Sequence, residues 1–211
     1  MEKAAHAIAR ALGPSCIIAG SDALHRYLGK PSEWAPGDYD LWHVGGSWKM
    51  DELLKRALAV LVGLGHTGFT ATPKSDHCHT LAVKGHKQTI QLIHVTSEMA
   101  TTVTELLDKF DLDICRVAYR VDTPGFLLGE TFSTTAVNKR EPARLNENAS
   151  RSSTLAASRA EKYRKRGFEV KLYKGPRYEF ALSGAAETKP PAAGGAALPS
   201  CNSHGCQSCT S

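Results

Sequence analysis

The chain has 211 residues, 42% of them hydrophobic and 22% charged, with a formal net charge of +5. This length carries one domain with a real core plus appendages, and the composition is that of a globular protein rather than a fibrous or wholly disordered one. No run of eighteen apolar residues occurs, which excludes a membrane-spanning helix. The charge is uneven: residues 138–180 hold 12 Lys+Arg against 5 Asp+Glu, a net of +7 that leaves the rest at −2. That basic segment is the part expected to meet an anion, unless it is simply a solvated helix face.

In chain order, residues 3–12 repeat apolar side chains at helical spacing and stop at Gly13-Pro14. The segment lacks the apolar run and small-residue cleavage site of a secretory signal, so a cytoplasmic location is expected. Residues 15–19 read as a short buried strand, Gly20-Ser21 as a turn, and 22–28 as a helix. A Pro/Gly-rich loop at 30–37 precedes a strand at 38–44 and a helix at 51–64. Residues 65–79 read as a loop. Two strands at 80–84 and 88–95 form a hairpin around Gly85-His86-Lys87. A helix at 102–109 and a strand at 112–119 follow.

Beyond Asn138, a polar basic helix at 153–166 is closed by Gly167, and 168–173 alternates as a strand. From Ser183 the chain is Ala/Gly/Pro-rich and reads as a disordered tail. The expected organisation is therefore a core over 1–135, a basic helix–strand extension over 136–182 and a tail over 183–211. The core alternates helices with mixed strands, so the fold class is α/β (α+β), a mixed sheet flanked by helices.

The chemistry concentrates in two short motifs. Asp38 and Asp40 are two apart in a strand and share one face, while Tyr39 and Leu41 point the other way. Two such carboxylates repel each other unless a cation lies between them. Mg²⁺, a hard ion that takes one or two carboxylates plus substrate phosphates, suits them. Gly20-Ser21, between a strand and a helix, offers backbone N–H groups and a hydroxyl to a phosphate, with Gly20 allowing close approach. Either motif alone is commonplace; the ordered combination is more specific.

The series Ile18-Ala19-Gly20-Ser21, a helix, then Asp38-Tyr39-Asp40-Leu41 resembles the nucleotidyltransferase fold of the DNA polymerase β superfamily, over about residues 15–120. With the later segments TIQLI, FDLDIC and RAEKYRKRGF, it also resembles nucleotidyltransferase-like proteins of large DNA viruses and some eukaryotes. The sixteen residues between Ser21 and Asp38 exceed the usual spacing, and the insertion Pro31–Gly37 accounts for it. The resemblance implies nucleotidyl transfer from an NTP to a hydroxyl on RNA or another acceptor. It further implies Asp38 and Asp40 as catalytic and metal residues, Gly20 and Ser21 on nucleotide phosphates, and Mg²⁺ as cofactor.

The family's third carboxylate falls on the strand TIQLIHV, where the matching residue is Gln91. An amide cannot act as a base. Either Asp111 or Asp113 of the second Asp-x-Asp alternation supplies the missing acid, with Asp111 the catalytic candidate, or the protein is a catalytically degraded nucleotide- or nucleic-acid-binding module. Asp111 also has a structural alternative, as a cap or a partner of Arg116 or Arg120. In the basic helix Arg159, Lys162 and Arg166 share a face, so Lys162 and Arg166 are candidates for nucleotide phosphates, against the alternative of solvated charges with Tyr163 packed on the core.

Cys16 and Cys115 sit in apolar runs as core residues. Asp76-His77-Cys78-His79 reads as a polar loop rather than a metal site. The cluster Cys201, His204, Cys206 and Cys209 lacks the spacer of ordinary zinc modules and reads as an oxidisable tail. No phosphate-binding loop of Walker type, nucleophile elbow or dinucleotide fingerprint is present.

Overall fold

The computed structural model describes residues 1–45, 47–146 and 153–174. The tail over 183–211, with its cysteine cluster, lies outside the described residues. Nine strands and six helices run in the order α1 (Glu2–Leu12), β1 (Cys16–Ala19), α2 (Ser21–Tyr27), β2 (Asp38–Val44), α3 (Met50–Gly63), β3 (Phe69–Ser75), β4 (Cys78–Val83), β5 (Thr89–Val95), α4 (Val103–Asp108), β6 (Val117–Tyr119), β7 (Leu127–Leu128), α5 (Thr134–Val137), β8 (Ala143–Asn146), α6 (Ser153–Arg164) and β9 (Val170–Tyr173) among the described residues. Helices α1 to α4 and α6, and strands β1, β2, β4, β5 and β9, lie where periodicity puts them, within about three residues.

Seven strands form one mixed sheet in the order β3-β4-β5-β2-β1-β6-β7. Only β2 and β5 pair in parallel; every other neighbouring pair is antiparallel. Strand alternation assigns the two faces. Ile18, Tyr39, Leu41, Ile90 and Leu92 are buried with Ile8 and Leu12 of α1 and Leu53, Ala57 and Leu61 of α3. Ile17, Ala19, Val44 and Val95 face the other way, against Met99, Ala100, Leu106 and Leu107 at α4. Asp38 and Asp40 belong to this second face, at the end of β2 opposite the part under α4. No helix among the described residues is long and apolar enough to cross a membrane.

Two expectations are corrected. The expected loop at 65–79 contains β3, an edge strand paired with β4. Its sequence, FTATPKS, gives no apolar alternation because most of the strand is exposed, and Pro73 is tolerated there because an edge strand has one unpaired side. The expected strand over 112–119 is extended only at β6; Asp113–Cys115 is a 3-10 turn. The Asp113 carboxylate accepts from the backbone N–H of Ile114 at 2.7 Å and of Arg144 at 3.0 Å, which favours the turn over extended pairing. Asp111 and Asp113 therefore do not repeat the side-by-side geometry of Asp38 and Asp40.

The basic segment forms a second, two-stranded parallel sheet of β8 and β9. Ala143, Leu145, Ala156, Ala160, Tyr163, Phe168 and Val170 join the same buried cluster as α1 and α3. The Asn146 N–H donates to the Asp111 carbonyl at 2.8 Å, fastening β8 to the core. Tyr163 is buried and accepts a hydrogen bond from the Cys115 thiol at 2.8 Å. Of the two readings open for Tyr163, packing on the core is the one observed.

Candidate active site

The parallel pairing of β2 with β5 sets Asp38 opposite Thr89 and Asp40 opposite Gln91. On the other side of β2, Asp40 is opposite Ala19, whose methyl leaves room beside the carboxylate. The Gln91 amide Nε2 donates to Asp38 Oδ2 at 2.9 Å. Asp40 Oδ1 is buried with no hydrogen-bond partner among the described residues. Burial first, and the neighbouring Asp38 second, push the Asp40 pKa up to about 7, while Lys162 and Arg159 pull against that rise. Both cations lie on α6, so the basic helix places positive potential at the acid pair.

The Gly-Ser turn meets the same carboxylate. Gly20 has φ +77°, and a Cβ there would stand 3.0 Å from Asp40 Oδ2. Ser21 is buried, and its hydroxyl has no hydrogen-bond partner among the described residues. Behind it, the Asp22 carboxylate accepts from the Tyr119 hydroxyl at 2.7 Å and faces Arg26 Nε at 3.6 Å. Those contacts fix the first turn of α2 against β6. Burial raises the Asp22 pKa against the opposing Tyr119 bond and Arg26 charge.

Not all the site residues expected from the sequence converge. Asp38, Asp40 and Gly20 are in one place, with Ser21 adjacent in the chain and Lys162 within electrostatic reach. Asp111 is buried and accepts a charge-assisted hydrogen bond from Arg159 Nη1. It is thus a partner of α6. The Arg166 guanidinium lies 4.1 Å over the Trp34 ring and 4.9 Å from that of Tyr163. Trp34, in the loop before β2, escaped the sequence reading. The one available signal was a tryptophan within a Pro/Gly-rich segment between the two motifs.

Among the described residues, no group of three or more His, Cys, Asp or Glu is placed to hold a metal ion. That includes Asp76–His79, whose last two residues open β4. The acid pair itself suits a cation: Asp40 Oδ1 is buried without a hydrogen-bond partner among the described residues, and burial first and the Asp38 charge second disfavour its ionised form when no cation is near.

No family model and no curated protein matches the chain. Among solved structures it is similar to a tRNA-processing enzyme complex, with TM-score 0.53 and 19% identity over 79% of this chain and 43% of that one. A tRNA nucleotidyltransferase complexed with a primer tRNA and an incoming ATP analog follows at TM-score 0.48 and 16% identity, over 74% of this chain and 43% of that one. The chain thus spans less than half the length of either. The likeness is one of fold alone: a mixed sheet with flanking helices, in which a turn and a helix join Gly20-Ser21 to the strand of Asp38 and Asp40.

Proposed function

We propose that the protein binds a nucleoside triphosphate with Mg²⁺ and transfers the nucleoside monophosphate to a hydroxyl acceptor, with RNA the acceptor class best matched by the basic segment. The observation that carries this reading is the meeting of Gly20, Asp38 and Asp40 at the end of one sheet face, under the positive field of α6. Asp38 and Asp40 would hold the ion, which would supply charge neutralisation for the triphosphate. Gly20 leaves the space in which a phosphate can approach the backbone, and the Ser21 hydroxyl is free to donate to it. Lys162 and Arg166 would take the outer phosphates.

In the reaction the acceptor oxygen bonds to the α-phosphorus and the bond to the β-phosphate bridge breaks. Pyrophosphate leaves, and the acceptor's proton passes to water. Gln91 takes no proton; its amide orients Asp38. Asp111, in this reading, acts on the reaction through Arg159, holding α6 where Lys162 faces the site. The test is calorimetric titration of the full chain with ATP, GTP, CTP and UTP, with and without Mg²⁺. Mg²⁺-dependent binding that disappears in Asp38→Ala/Asp40→Ala is the expected result. Binding that ignores both Mg²⁺ and the double substitution would overturn the proposal.

A further inference from the structure

We infer that this site is built for one divalent cation rather than two, and that Gln91 is the residue that sets this number. The inference rests on the reading of Asp38 and Asp40 given above and concerns how that same site is loaded.

The geometry begins with register. Gln91 is the residue of β5 directly opposite Asp40, and its amide reaches back to Asp38 Oδ2 at 2.9 Å. The group flanking the pair on that side is therefore an N–H donor. It presents a positive dipole where a second ion would need a negative ligand, and it occupies a lone pair of Asp38. The Gln91 carbonyl oxygen is a neutral donor at best, and hard divalent ions held by protein draw mainly on carboxylates.

Charge balance leads to the same number. Two carboxylates neutralise one divalent ion. Among the described residues no third acidic, histidine or cysteine side chain joins them. The other charged groups acting on Asp40 include two cations of α6, Lys162 and Arg159, together with Asp22. Asp22 is engaged by Tyr119 and Arg26 and is not free to ligate. A second divalent ion would enter a site already supplied with fixed positive charge and lacking a ligand to offset it. Lys162 stands in the electrostatic place of that ion, as a charge the protein carries itself. Gln91 is a positioning residue here: it holds Asp38 and excludes a second ion without touching the reacting phosphate.

The test uses Mn²⁺ in place of Mg²⁺, the full chain, and the non-hydrolysable analogue α,β-methylene ATP. Electron paramagnetic resonance reads the number of ions directly, because ions about 3.5–4 Å apart in a two-metal site couple magnetically. The wild type is expected to give a single-ion spectrum even with Mn²⁺ in excess, whereas Gln91→Glu gives a coupled pair. Gln91→Asp serves as a second variant should Gln91→Glu melt early in a thermal scan. A coupled pair in the wild type would overturn the inference alone. So would single-ion spectra in the wild type and both variants, since Gln91 would then not set the number. A wild-type spectrum identical to the Mn²⁺–nucleotide complex free in solution, and unchanged by Asp38→Asn/Asp40→Asn, would overturn the Proposed function and this inference with it.

Discussion

Gly20 carries the sharpest steric demand in the site. Its φ of +77° and ψ of −138° fall in a region that side-chain-bearing residues rarely occupy, and the space a Cβ would fill is taken by Asp40 Oδ2 at 3.0 Å. Gly20→Ala is therefore expected to cost about 1–3 kcal/mol of folding stability, the usual scale for a forced backbone outlier. It should also abolish Mg²⁺-dependent nucleotide binding, because relief of the clash moves either the turn or the carboxylate. Urea denaturation and calorimetry check the two effects separately. The need for glycine here was legible from the motif alone; its contact with Asp40 was not, since the two are twenty residues apart and meet only through the pairing of β1 with β2.

At the scale of elements, α6 decides whether the acid pair sees positive charge. Its apolar residues are few: Ala156, Ala160 and Tyr163 are buried, while most of the helix is exposed. Specific contacts therefore matter. Arg159 reaches Asp111, and Arg166 stacks on Trp34. The pair with Asp111 is lopsided, for the carboxylate side chain is 8% exposed and the arginine 50%. Removing the arginine deprives a buried carboxylate of its cation, whereas removing the carboxylate leaves an arginine that water can solvate. Arg159→Ala is accordingly expected to destabilise the fold by about 1–3 kcal/mol, and Asp111→Asn by less, measured as a shift in the denaturation midpoint. Equal losses would show that the pair is not the tether. The helix was legible from its composition and the glycine that closes it, Gly167. Its partners were not, because a polar helix carries no periodic signal saying which face docks.

Across the whole molecule, one buried and two partly buried histidines link stability to pH. Burial holds His6, His43 and His94 below the usual imidazole value of 6.5, with the nearby charges of Arg26, His94 and His77 respectively adding to it. The unfolded chain takes up these protons first as pH falls. The histidine contribution is thus fully present above 6.5 and is lost on acidification below it. Asp22 and Asp113, raised by burial, work in the opposite sense. A variant comparison separates the two: His43→Phe, which keeps a ring stacked on Trp48, should lose less stability than the wild type between about pH 7.5 and 5.5. Parallel denaturation midpoints for the two proteins would contradict this.

The sequence by itself determined the helices and strands that bury a periodic face, the glycine at the turn, the shared face of Asp38 and Asp40, and the neutral amide of Gln91 in the midst of an apolar strand. Each is written in neighbours a few positions apart, through the periods of 3.6 and 2. Only the tertiary structure decided the pairing of Asp40 with Gln91, the hydrogen bond from that amide to Asp38, the capture of Asp111 by Arg159, and the charge that Lys162 and Arg159 of α6 exert on Asp40. It also decided that the exposed segment Phe69–Ser75 is a strand and that Asp113 begins a turn. These outcomes depend on partners tens of residues away, joined by a parallel register and by buried charge, and local propensity holds no record of either.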